Sequence, residues 1–186
     1  MIESFSVPMF GEGRKLRVYL PTNRKDNKFP VLYMHDGQNV FENEEAIGGV
    51  GLELHDYLEK NDVELIVVAI DQNSRERVSE YCPWINGEYT TKFFGKPSSE
   101  GGKGKEYVEF IVNKLKPLID SKYSTNHNET YMVGISLGAL VTTYAACTYP
   151  QIFKRIAGLS SAFYRNQEGI QQLFKMADLS HLEKVY

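Results

Sequence analysis

Gly134-Ile135-Ser136-Leu137-Gly138 is a Gly-x-Ser-x-Gly element set between an apolar β-type run, Thr130 to Val133, and a helix-type run, Leu137 to Cys147. Strand, sharp turn and helix in that order form a nucleophile elbow, which lifts a serine hydroxyl above the edge of a sheet. A serine hydroxyl attacks a carbonyl only when a neighbouring base takes its proton. Flanking glycines leave room for the turn, and the Leu137 N–H, at the helix start, points where an oxyanion would develop. The pattern therefore predicts acyl transfer through Ser136. A chance match is the competing explanation, and the strand before and helix after the motif argue against it.

A second polar cluster, His35-Asp36-Gly37-Gln38-Asn39, follows the apolar run Val31 to Met34. In hydrolases with such an elbow, the second oxyanion donor comes from a loop after an early strand. The Gln38 N–H is the candidate, although Asp36-Gly37 is also ordinary turn chemistry. His35 lies at the strand end and is expected to shape the loop rather than serve as base. His55, on a helical pattern, and His127, in a polar loop, read as solvated surface groups. Gly101-Gly102-Lys103-Gly104 hints at phosphate binding but lacks the spacing of a phosphate-binding loop, so it reads as a loop and helix start. Cys147, beside Ala145 and Ala146, reads as a buried small apolar residue.

Elements that could position these residues are legible along the chain. Glu3 to Met9 and Lys15 to Leu20 alternate apolar and polar residues, which predicts two antiparallel strands joined at Gly11-Glu12-Gly13. Pro21 and the polar stretch Thr22 to Lys28 end the second. Val31 to Met34 and Glu64 to Ile70 predict strands buried on both faces. Helices are predicted over Gly51 to Lys60, Lys105 to Lys122 and Gln167 to Ala177. Asp71 to Glu100 reads as a long irregular functional loop. Arg155 to Leu159 predicts another strand, and Glu183 to Tyr186 a strand just starting. Strands alternating with amphipathic helices predict an α/β fold, a mostly parallel sheet entered by two antiparallel strands. Ligands bind such sheets beyond the carboxyl ends of the strands. The loops after Met34, Ile70 and Val133 all fall there.

Composition narrows the function classes. With 186 residues, 42% hydrophobic and 24% charged, the chain suits one domain, residues 1–186. A net charge of −3 gives no electrostatic reason to expect nucleic acid or an anionic membrane as partner. No apolar run approaches the roughly 18 residues that span a bilayer. The start shows no basic region followed by an apolar one, so no signal peptide is visible. Cys82 and Cys147 lack metal-ligand spacing. A cytoplasmic protein with free thiols, without metal or cofactor, is the expectation. The 12 tyrosines and 10 phenylalanines suit a filled core or a groove for a ring-bearing ligand.

Together the motifs resemble the Putative esterase family of the α/β-hydrolase superfamily, which includes esterase-D-like, enterochelin and feruloyl esterases. The resemblance rests on four stretches: His35 to Phe41; Asp71-Gln72-Asn73 with Arg75 and Glu80-Tyr81-Cys82-Pro83-Trp84; Gly101 to Gly104 with Tyr107, Phe110 and Leu115-Lys116-Pro117; and Gly134 to Leu140. It implies ester hydrolysis, Ser136 as nucleophile, and Gln38 and Leu137 as oxyanion donors. It also implies His35, Asp36, Tyr81 and Trp84 at the substrate cleft and a small-molecule ester as partner. Cys82 and Ala139 are small departures. The large one is that the family places its acid and histidine after the serine, and only about 50 residues follow Ser136 here. Asp178 and His181 keep the chain order but read as surface residues. The expectation is a C-terminally incomplete domain lacking its last strands, impaired as an esterase. Its open sheet edge near Arg155 to Leu159 would invite a second copy. The alternative is a non-catalytic remnant that binds a ligand or partner.

Overall fold

The computed structural model describes residues 1–22 and 27–186, so residues 23–26 of the polar stretch after the second strand lie outside the described residues. β1 (Ile2–Met9) and β2 (Glu12–Tyr19) pair antiparallel from Ile2↔Tyr19 to Met9↔Glu12. Their turn is Phe10-Gly11, with φ of 52° and 81°, the doubly positive geometry of a two-residue hairpin turn that matches strand twist. The turn thus precedes the predicted Gly11–Gly13, and Gly13 belongs to β2. Next come β3 (Phe29–Met34), α1 (Leu54–Lys60), β4 (Ile66–Ile70), α2 (Arg77–Tyr81) and α3 (Glu88–Phe94). They are followed by α4 (Gly104–Phe110), α5 (Lys116–Lys122), β5 (Thr125–Ile135), α6 (Leu137–Thr148), β6 (Phe153–Leu159), α7 (Gln167–Met176) and β7 (Lys184–Val185).

Among the described residues these strands form one seven-stranded sheet in the order β1-β2-β4-β3-β5-β6-β7. β2 meets β4 antiparallel, and every pairing from β4 to β7 is parallel. All five residues of β4 are buried, because helices cover both faces. Val67 and Ala69 pack with Phe41 and Leu58 on the α1 side. Ile66, Val68 and Ile70 pack with Tyr33, Tyr107, Ile111 and Leu140 on the other. A strand covered on both sides must be apolar throughout, which is why its sequence shows no alternation.

Several expectations are corrected. The irregular stretch 71–100 contains α2 and α3, five and seven residues long, too short for a helical period to show. The predicted helix from Lys105 is α4, a π-helical turn at Ile111–Leu115, and α5 in succession. Pro117 lies two residues past the end of that turn; its nitrogen cannot donate to the backbone, and its ring crowds the carbonyl four residues back. His127 lies within β5, not a free loop, where the register with β3 jumps from Phe29↔Thr125 to Val31↔Thr130. The β6 edge is also covered. Glu183 N–H donates to Lys154 O (2.7 Å), Tyr186 N–H to Ile156 O (3.0 Å) and Gly158 N–H to Tyr186 O (2.9 Å). The short β7, rather than Arg155 to Leu159, therefore borders the sheet on this side. Among the described residues no helix is long and apolar enough to cross a membrane.

Candidate active site

β5 ends at Ile135, and α6 begins at Leu137. Ser136 alone makes the turn, at φ 59° and ψ −114°. A non-glycine residue in such a conformation costs about 1–3 kcal/mol and persists only when its surroundings enforce it. Here they do: Ser136 N–H donates to Leu159 O (2.8 Å), and Ser136 O accepts from Ala139 (3.2 Å), Leu140 (3.2 Å) and Ala162 (3.1 Å). Gly134 is the other requirement, since a Cβ there would lie 2.1 Å from both C and O of Gly138. The strand and helix therefore cross at a distance that only glycine permits. The Leu137 N–H is among the first donors of α6, which have no acceptor within the helix. Ser136 is half-buried.

Beside the elbow runs the loop after β3. Asp36 is in the left-handed region (φ 56°) and leads into a single 3-10 turn, Gly37–Asn39. The loop touches α6, because a Cβ on Gly138 would meet His35 Cβ at 3.3 Å and Asp36 Oδ2 at 3.6 Å. Between loop and elbow opens a cleft of about 240 Å³. Its polar border is Ser136, Asp36, Asn39, Arg77 and His35, and its apolar wall includes Met34, Val40, Val50, Leu52 and Ile135.

Asp36 spends its carboxylate on Arg77, with Nε–Oδ1 2.7 Å and Nη2–Oδ2 2.8 Å. Its backbone N–H donates to Tyr81 Oη (3.1 Å). His35 is buried, with Nδ1 2.9 Å from Tyr107 Oη and Nε2 3.1 Å from Thr142 Oγ1. Both ring nitrogens are thus engaged below the cleft. Burial, and secondarily Arg77, push the His35 imidazole down to about 4 against the opposing pull of Asp36. The folded protein holds His35 neutral, while the unfolded chain takes up its proton near pH 6.5. Stability is therefore full above that value and falls as pH drops from 6.5 to 4, by about 3 kcal/mol from this residue. Urea unfolding at pH 7 and pH 4.5 should show this loss, and His35→Gln should remove the part that His35 contributes.

Tyr81 is fully buried and meets His35 and Tyr107 at tilted angles, with ring-centroid distances of 5.3 and 5.2 Å. It supports the cleft from behind rather than facing a substrate. Trp84 is half-buried: its ring meets Tyr144 edge-on at 5.6 Å and packs against Gly169 of α7. Asn166 brackets it, accepting from Trp84 N–H (3.2 Å) and donating to Trp84 O (2.9 Å). The Gly-rich stretch also has a packing explanation. A Cβ on Gly101 would lie 2.3 Å from Trp84 O, and one on Gly104 2.6 Å from Pro83 N.

The other histidines lie apart from Ser136. His55 packs edge-on to Phe41 (6.0 Å), with Nε2 3.3 Å from Asp56, and is half-buried rather than solvated. His127 is at the start of β5. His181 is exposed and precedes β7, whose Lys184 pairs with Arg155 near the start of β6. Ser136 stands at the opposite, carboxyl end of these parallel strands, roughly 15 Å further on at 3.3 Å per residue. Asp178 is exposed and caps its own turn, accepting from Ser180 N–H at 3.0 Å. Cys82 and Cys147 are buried free thiols, and burial raises them to about 12 and about 11.

The ion pairs that hold the site leave no local signal of their partnership in the sequence. Arg14 makes a buried two-pronged pair with Glu80 (2.8 and 2.7 Å) and reaches Asp71 O (3.2 Å). Arg17 grips Asp71 with both prongs (2.8 and 2.9 Å). Its Nη2 also holds Glu45, and with Lys15 it draws that carboxyl down to about 2.

A strained serine at a strand–helix elbow, at the carboxyl edge of a mostly parallel sheet and flanked by a polar loop, defines an α/β-hydrolase-like fold. Solved structures share it: an IroE-like serine hydrolase from Shewanella oneidensis (TM-score 0.75, 21% identity, 94% of this chain and 55% of that one), and the siderophore hydrolase EstB from Aspergillus nidulans (TM-score 0.71, 20% identity, 94% and 60%). The chain belongs to the family described as Putative esterase, which matches residues 7–181. The Bacillus subtilis (strain 168) proteins YbbA and YjcH, both described as uncharacterized, are each 27% identical to it. The matches cover 81% and 92% of this chain but 58% and 64% of those proteins, so the chain spans roughly three-fifths of their length.

Proposed function

We propose that the chain is a serine carboxylic-ester hydrolase that forms an acyl-enzyme on Ser136. The observation that carries this reading is the enforced φ of 59° at Ser136, a strained geometry held at the strand–helix elbow by four backbone hydrogen bonds. In this reading the Leu137 and Gln38 N–H groups receive the developing oxyanion, and the cleft bordered by Asp36, Arg77, Val50 and Leu52 receives a small-molecule ester. Membership in an esterase family supports the class of reaction. Among the described residues both ring nitrogens of His35 are taken by Tyr107 and Thr142, and His55, His127 and His181 stand on other elements, so this reading gives Ser136 no histidine base there.

Turnover is accordingly slow. Loss of the base or of the acid that orients it typically costs about 10⁴- to 10⁶-fold in kcat, and oxyanion donors with substrate binding leave a residue of catalysis. Hydrolysis of p-nitrophenyl acetate should be weak, and Ser136→Ala should abolish it. Equal rates for the two proteins would refute the nucleophile. A rate matching that of an esterase with an intact serine–histidine–acid triad would refute the lack of a base.

A further inference from the structure

We propose that the Gln38 side chain is a positioning residue that sets its own backbone N–H for reaction at Ser136. The proposal rests on the serine-esterase reading above and adds the device that holds one of its donors. β3 and β4 pair in parallel as far as Met34↔Ala69. Beyond that point the chain after β3 coils into its 3-10 turn and leaves the sheet. The Gln38 side chain reaches back where a strand would have been. Its Nε2 donates to Gln72 O (2.9 Å), and its Oε1 accepts from Gln72 N–H (3.0 Å).

A carboxamide presents one donor edge and one acceptor edge side by side, so the side chain imitates the backbone of a neighbouring strand. Gln72 is buried, and its N–H and C=O need partners there. Two flanking restraints act on the same loop. Asp36 is gripped by Arg77 on one side. Gly37 lies so close to the end of β4 that a Cβ would stand 2.7 Å from Asp71 N and Ile70 C. Residues 36, 37 and 38 are therefore pinned one after another to the segment after β4. Pinning Gln38 by its side chain leaves its backbone N–H free of sheet duty and fixed in direction. An oxyanion donor requires this, since misplacement by about 1 Å can cost 100-fold.

The test compares the unsubstituted protein with Gln38→Met, which removes both bonds, and Gln38→Glu, which keeps the acceptor and loses the donor. The readouts are modification of Ser136 by a fluorophosphonate, resolved into saturating rate and half-saturating concentration, and hydrogen exchange of the Gln72 amide. Gln38→Met should lower the saturating rate by about 100-fold, the scale of a donor misplaced by about 1 Å, with the half-saturating concentration changed less than about threefold. The Gln72 amide should exchange faster, and Gln38→Glu should fall between. Should Gln38→Met fail to fold, the isosteric Glu variant carries the same comparison. Faster Gln72 exchange with a saturating rate within about twofold of the unsubstituted protein would show a mere tether and overturn the proposal. No Ser136-dependent modification of the unsubstituted protein would refute the serine reading itself, and this proposal with it.

Discussion

Gly134→Ala is expected to destroy the elbow and with it the reactivity of Ser136. The added methyl would sit 2.1 Å from Gly138 C and O and 2.6 Å from Ala139 N. These are backbone atoms of α6, so no side chain can swing aside. Strand β5 and helix α6 would have to separate, which removes the packing of a helix whose residues Leu137 to Cys147 are all buried. Such overpacking belongs to the rare class of substitutions that cost more than about 4 kcal/mol. The expected result is an insoluble protein or one whose melting temperature falls by about 10 °C or more. Gly13→Ala is the control: its nearest neighbour, Ser6 Cβ, is 3.9 Å away, and the melting temperature should hardly change.

Glu80→Ala is expected to cost about 3–5 kcal/mol, because it leaves the Arg14 guanidinium buried without its carboxylate. Arg14 and Glu80 are 5% and 1% exposed, so water cannot make good the loss. The pair fastens α2 to β2, and α2 carries Arg77 and Tyr81 to the loop beside Ser136. Destabilisation and loss of Ser136 reactivity should therefore appear together. Replacing both partners, as Arg14→Met with Glu80→Leu, should recover most of the stability, since paired burial of charge is often no better than apolar packing. Chemical unfolding of the two single variants and the double variant measures the coupling. Additive losses would show that the pair is not a unit.

These two substitutions mark what was legible in the sequence and what was not. Gly134 and Ser136 are two positions apart, and a local motif records their geometry completely. The continuous apolar run of β4 likewise announces a strand covered on both faces. The ion pairs are different. Arg14 and Glu80 are 66 positions apart, Arg17 and Asp71 54, and Asp36 and Arg77 41. Partners at such separations leave no period or spacing: Asp36, Asp71 and Glu80 stand in the stretches that resemble the esterase family, but nothing local names Arg77, Arg17 and Arg14 as their partners. Val50 and Leu52 are hidden for another reason. Their loop is folded by Asn39 and Asn43, which accept from Ile47 N–H (2.8 Å) and Gly51 N–H (2.7 Å), so its apolar residues follow no helix or strand period. Tyr81 shows the converse: its place in a family motif implies a substrate contact, whereas its own contacts bury it against His35 and Tyr107.

The most direct test of the central claim is intact-mass analysis of the protein incubated with a fluorophosphonate, followed by peptide mapping, beside Ser136→Ala. A slow, single adduct located on Ser136 and absent from the variant is the predicted result. An adduct that forms equally in Ser136→Ala, or no adduct on folded protein, would contradict Ser136 as the nucleophile.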